Sequence, residues 1–254
     1  MEFDYDSTLY ISDFLDTKDL WSLSCVCSSI RETITDYIKR NRILDCKNDE
    51  TKALEFAKQN YRVKLNLSRW IRIVDVSHLS RIHTLDLSHC SNITDVSALG
   101  GVHTLNLSCC SNVTDVSALG GVHTLDLSWC KRIMDVSHLS GVHTLNLSHC
   151  TCVMNVSHLS KVHTLNLRGC YNITDVSALG EVHDLNLSWC YNVTDVSHLS
   201  RVHTLNLTMC YNITDVSHLS GVHTLNLQGC RNVTDISALG GVHTLIKPTF
   251  CYVL

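Results

Sequence analysis

Residues 101–120 read GVHTLNLSCCSNVTDVSALG, and residues 121–140 read GVHTLDLSWCKRIMDVSHLS. The second stretch is the first with a few side chains exchanged, and the phrase returns every 20 residues from residue 81 onward. Residues 61–80 (YRVKLNLSRWIRIVDVSHLS) are a degenerate first copy and residues 241–254 a truncated last one, which gives nine full copies and a stub. A fixed period of this size marks a stack of like supersecondary units. Positions 2, 5, 7, 13, 16 and 19 of the unit are Val, Ile or Leu in nearly every copy. Positions 5 and 7 alternate with polar 4, 6 and 8, the period of a strand with one face in a core. This places Leu105 and Leu107 inward and Thr104, Asn106 and Ser108 outward. A single unit cannot bury its own apolar side, whereas stacked units form a continuous core.

Val102, Leu105, Leu107, Cys110 and Val113 fall without gaps on the phrase L-x-x-L-x-L-x-x-N/C-x-L. The repeats therefore resemble the leucine-rich repeat family over about residues 61–246, and their NITDVSAL half is similar to the short back side of internalin-like repeats. Such homogeneous repeats are also similar to repeat proteins of large DNA viruses and protists. The resemblance implies an α/β solenoid with a parallel sheet on the concave face and a short 3₁₀ or irregular convex side. Twenty residues leave no room for a long convex helix, so a 3₁₀-like turn is expected around Asp115–Leu119, with Thr114 or Asp115 as its cap.

Regular repetition turns each position into a column. Cysteine holds position 10 from Cys90 to Cys230. A metal or disulfide reading competes with a structural one, and parallel side chains do not converge on an ion, so buried free thiols are expected. Cys109 and Cys152 stand off this column and are the better candidates for reactive thiols. Histidine holds position 3 from His83 to His243. A metal tape or a pH sensor is conceivable, but rings flanking the strand and bonded to backbone or to one another are favoured, and stacked rings charge at a cost. No metal or other cofactor is expected.

Symmetry breaks along one edge. Position 9 reads Arg69, His89, Cys109, Trp129, His149, Gly169, Trp189, Met209, Gly229, and position 11 holds Lys131 and the run Tyr171, Tyr191, Tyr211. Arg168 and Asp184 interrupt the Ser and Thr columns nearby. Aromatic residues and Arg dominate binding hot spots, so Trp129, Lys131, His149, Arg168, Tyr171, Asp184, Trp189, Tyr191, Met209 and Tyr211 are the expected partner-binding residues on the concave edge. Neutral drift between recent duplicates is the competing reading.

The first 60 residues differ in kind: they hold 12 acidic and 8 basic residues, whereas the remainder is balanced. Apolar residues recur at helical spacing in LYISDFLDTKDLWSLSCVCSSIRETITDYIKR (9–40), which indicates two or three short helices. The elements I-x-x-F-L-D at 11–16, K-D-L at 18–20, L-S-x-V-C at 23–27 and Ile30-Arg31 resemble the F-box over about residues 8–40. Ser7-Thr8-Leu9 stands where that family usually has Leu-Pro, and Ile30 where Trp is common. The resemblance implies docking of a Skp-family adaptor through Leu9, Ile11, Phe14, Leu15, Leu20, Leu23 and Val26, some of which must instead hold the module's own core. The expected division is a helical module at 1–45, a connecting helix or cap at 46–60 and a solenoid at 61–254.

An F-box ahead of leucine-rich repeats implies the substrate-recognition subunit of a cullin–RING ubiquitin ligase, binding an unknown protein on the concave face. The alternative is a binding scaffold with a helical cap and no ligase link. A net charge of −4 gives no basic excess for nucleic acid. No long apolar run points to a membrane, and the start MEFDYDSTLY lacks the basic and apolar segments of a secretory signal, so an intracellular chain is expected. Ser, Cys and His are so abundant that nucleophile–base pairs carry no information, and no enzyme is expected. The stub departs from the repeat at Ile246-Lys247-Pro248, a sequence suited to blunting an exposed strand edge.

Overall fold

The computed structural model describes residues 18–20, 22 and 31–248. It divides into two compact units, Met1–Asn66 with Arg81–Leu85, and Leu67–Ser80 with Asp86–Leu254.

In the first unit residues 18–20 are helical, and α1 spans Arg31–Asn41. Ile34, Tyr37 and Ile38 fall on one face of α1 and are buried. Strand β1 (Ile43–Asp45) buries only its central Leu44. Helix α2 (Glu50–Lys58) starts at Asp49, whose carboxylate accepts the Lys52 N–H at 3.0 Å, and it buries Ala53 and Ala57. Strand β2 (Arg62–Asn66) pairs in parallel with β1, setting Leu44 beside Val63.

The second unit is built from the repeats. After β3 (Thr84–Asp86) the strands are β4 (Thr104–Asn106), β5 (Thr124–Asp126), β6 (Thr144–Asn146), β7 (Thr164–Asn166), β8 (Asp184–Asn186), β9 (Thr204–Asn206), β10 (Thr224–Asn226) and β11 (Thr244–Ile246). From β4 on, each pairs in parallel with the next, and every residue faces the one 20 further along, as Leu105 faces Leu125. A fixed period with parallel pairing in this register is what converts positions into columns. The fold is a leucine-rich-repeat solenoid with a parallel sheet on one side and 3₁₀ turns on the other. Its core is the set of Val, Ile and Leu at the six apolar positions, nearly all fully buried between Val102 and Val233. Each such side chain contributes about 1.5–3 kcal/mol on leaving water.

The 3₁₀ turn begins two residues later than expected: it spans Ser117–Gly121, not Asp115–Leu119. Its N-cap is Val116, with no side-chain cap, rather than Thr114 or Asp115; Asp115 instead braces the bend that enters the turn, where its carboxylate accepts the Ser117 N–H at 2.9 Å, and Thr114 is exposed. Asp95, Asp135, Asp175, Asp195, Asp215 and Asp235 repeat the contact. The length of the turn follows position 1 of the next copy. Where that residue is Gly101, Gly121, Gly141, Gly221 or Gly241, and also where it is Glu181, the turn runs five residues; before the basic Arg81, Lys161 and Arg201 it stops at three. A Cβ on Gly141 would lie 2.6 Å from the Gly120 carbonyl oxygen, so glycine permits the close approach.

Position 8 does not point outward in every copy, as the alternation had indicated. Ser88, Ser128, Ser148 and Ser188 are buried, in the four copies whose position 9 is His or Trp, whereas Ser108, before Cys109, is only partly covered. The position-6 side chain secures the bend into position 9: Asn106 Oδ1 accepts the Ser108 N–H at 2.9 Å.

Candidate protein-binding surface

Position 9 is the apex of the turn leaving each strand. Arg69, His89, Cys109, Trp129, His149, Trp189 and Met209 all adopt the left-handed region, with φ between 60° and 65°, as do Gly169 and Gly229 at 69° and 74°. A non-glycine residue pays about 1–2 kcal/mol for this conformation. The column recurs because the bend carries the next residue, position 10, back into the core. There each cysteine Sγ donates to the carbonyl of the position-7 leucine one coil earlier, at 3.0–3.2 Å from Cys90 to Leu67 through Cys230 to Leu207. Burial pushes the thiols of Cys110, Cys130, Cys170 and Cys190 up to about 12 and that of Cys230 to about 11. These are small apolar side chains that also satisfy a backbone acceptor. Of the off-column thiols, Cys109 is half-buried and Cys152 exposed.

The left-handed apex also throws the position-9 side chains outward and along the stack. Trp129 lies on the ring of His149 with centroids 4.1 Å apart, and His149 in turn lies over Gly169, where a Cβ would come within 2.7 Å of its Nδ1. Met209 covers Gly229 in the same way. Position 11 adds a second column: Tyr171, Tyr191 and Tyr211 stack with centroids 5.4 Å apart and planes within 6°. Trp189 meets Tyr191 edge-on at 6.1 Å, and the Tyr211 hydroxyl donates to Met209 Sδ at 3.2 Å.

Cations cover the ends and middle of this aromatic strip. Lys131 sits over Trp129 at 5.1 Å, the Arg168 guanidinium over Trp189 at 6.0 Å and Arg231 over Tyr211 at 5.2 Å. His149 is held below its ordinary pKa, first by burial and then by the charges of Arg168 and Lys131, so it is a neutral ring at pH 7. Trp129 is 44% exposed and Tyr171 36%, while Trp189, Tyr191, Met209 and Tyr211 are half-buried.

The structure thus brings nine of the ten residues singled out on this edge into one chain of contacts. The tenth, Asp184, starts β8 and contacts the histidine column, with His183 Nδ1 3.3 Å from its Oδ1. Arg231 was missed, although it completes the position-11 column beside Tyr211. Of the seven residues assigned to an adaptor, Leu20 is fully buried, so its side chain is not presented to a partner in the free chain. Leu9, Ile11, Phe14, Leu15, Leu23 and Val26 lie outside the described residues.

Comparison with known proteins agrees with this architecture. The family model of the F-box domain matches residues 2–42. The repeat fold is similar to that of an internalin from Listeria monocytogenes, with 18% identity and a TM-score of 0.50 over 78% of this chain and 70% of that one. A leucine-rich-repeat protein from Legionella pneumophila is also similar, with 18% identity and a TM-score of 0.44 over 80% of this chain and 89% of that one. No curated protein sequence matches. The chain has an F-box domain at residues 2–42 followed by leucine-rich repeats, which is consistent with protein–protein interaction. Among the described residues no helix is long and apolar enough to cross a membrane.

Proposed function

We propose that this protein is the substrate receptor of a cullin–RING ubiquitin ligase, with its F-box holding a Skp-family adaptor and its repeats holding a protein substrate. The observation that carries the reading is the F-box match at residues 2–42 ahead of a solenoid with one aromatic and cationic edge. The substrate surface is the strip from Lys131 to Arg231. Its rings are ordered by stacking before any partner arrives, which lowers the entropic cost of binding. The cations over Trp129, Trp189 and Tyr211 favour a partner segment with acidic side chains. In this reading the chain joins substrate to ligase and takes no part in the chemistry itself.

The test is calorimetric titration of the full chain with a purified Skp-family adaptor. Binding at micromolar concentration or tighter is expected, and Phe14→Asp with Leu15→Asp should weaken it at least about tenfold while the circular dichroism of the repeats stays unchanged. No binding by the unaltered chain would leave a repeat scaffold with a helical cap and would overturn the ligase reading.

A further inference from the structure

From His103 to His243 the position-3 rings stack with centroids 4.5–4.7 Å apart and planes within 13°. At most coils each Nδ1 faces the hydroxyl of the following threonine, as His163 does Thr164 at 3.2 Å. In these coils the Nδ1 meets a neutral hydroxyl, while the ring faces stack on their neighbours. One coil differs. Asp184 stands where the neighbouring copies carry threonine, so a carboxylate replaces a hydroxyl beside two stacked imidazoles.

We propose that His163, His183 and Asp184 form a binding site for one divalent cation of the zinc class, a function independent of the ligase reading. One ligand atom from each of the three residues lies within 4.8 Å of the other two. His183 Nδ1 is 3.3 Å from Asp184 Oδ1, already the separation of two ligands on a tetrahedral ion with bonds of about 2.0–2.1 Å. The second carboxylate oxygen, Oδ2, accepts a hydrogen bond from the Thr164 hydroxyl at 3.4 Å, an outer contact that fixes the orientation of the ligand. His163 and His183 are exposed, so their rings turn out of the stack toward an ion without disturbing the core. A fourth position stays open to water, since three protein ligands do not close a tetrahedron. Two imidazoles and one carboxylate suit zinc, nickel or copper and disfavour magnesium and calcium, which take oxygen ligands.

The site is tested by titrating the chelator-treated full chain, kept reduced, with Zn²⁺ against a chromogenic zinc indicator. One ion per chain is expected. Asp184→Thr installs the residue of the adjacent copies and so keeps the fold; it should lower the affinity at least about tenfold. Thr144→Asp rebuilds the arrangement with His123 and His143 and should raise the stoichiometry to two. Co²⁺ in place of zinc should give visible bands of nitrogen and oxygen ligation. Unchanged affinity in Asp184→Thr, an unchanged stoichiometry in Thr144→Asp, or a strong thiolate-to-cobalt band locating the ion on cysteine would overturn the assignment.

Discussion

At the scale of single residues, the left-handed apex at position 9 governs both what is buried and what is offered to a partner. Seven non-glycine residues hold a conformation that glycine holds without cost, and at six of them the bend seats the cysteine that follows, whereas Arg69 is followed by the exposed Trp70. Gly169 is the informative exception, because its missing Cβ is the floor on which His149 rests. Gly169→Ala should destabilise the protein by about 1–3 kcal/mol in urea unfolding, through the left-handed backbone and the displaced imidazole together. Gly240→Ala, with open space around the new methyl, should stay within about 0.5 kcal/mol. Equal effects at the two sites would show that the contact with His149 is unimportant. None of this bend was readable in advance. Trp, His, Met and Arg do not favour positive φ, and Gly169 and Gly229 looked like two more variable residues in a variable column. The burial of Ser128, next to Trp129, was equally hidden, since simple alternation points it into solvent.

At the scale of the element, the histidines beside the strands and the aspartates of the turns behind them both lose stability in acid, in different pH ranges. His149 and His223 both titrate below the ordinary histidine value: burial acts first on each, followed by Arg168 and Lys131 on His149, and by His203 and His243 on His223. A folded pKa below the unfolded one means that the unfolded chain takes up protons more readily, so stability is complete above about pH 6.5 and falls as pH drops through that range. The carboxyls of Asp115 and its equivalents are also lowered, chiefly by the N–H and hydroxyl of the serine two residues on. Their contribution persists until the pH falls below about 4 and is lost there. Thermal unfolding should therefore show two acid limbs, and His223→Gln should flatten the upper one alone. A melting temperature constant from about pH 7.5 to 5.5 would refute the histidine limb. The strands and their inward leucines were readable from the spacing of apolar residues, and the presence of a 3₁₀ turn, though not its start, from the length of the repeat. The pairing of Asp184 with His163 was not, because those residues are 21 apart and meet only once parallel register is known.

At the scale of the whole molecule, the repeats form a stack in which each coil is stabilised by its neighbours, and coverage is thinner at residues 242–246 than one coil earlier. Val242 and Leu245 are only half-buried and Ile246 is 45% exposed, whereas Val222 and Leu225 one coil earlier are fully buried. Lys247 and Pro248 follow directly, a charge that resists burial and a residue with no N–H to donate. Replacing both, Lys247→Leu with Pro248→Ser, should make the protein self-associate as its concentration rises in light scattering. Identical scattering from the variant and the parent would remove the edge-protecting role.

The repeated architecture and the N-terminal module were readable because each is carried by many residues in register or in a compact motif, 61–246 for the one and 11–31 for the other. The proposed function joins them by bridging an adaptor and a substrate, and one capture experiment tests that proposal directly. An immobilised Skp-family adaptor, loaded with the full chain and exposed to cell extract, should retain the chain and through it a discrete partner. Trp189→Ala with Tyr191→Ala should keep the chain on the adaptor while the partner loses about 2–4 kcal/mol of affinity. Retention of the partner by the double variant at the parent's level, or failure of the parent chain to stay on the adaptor, would contradict the account.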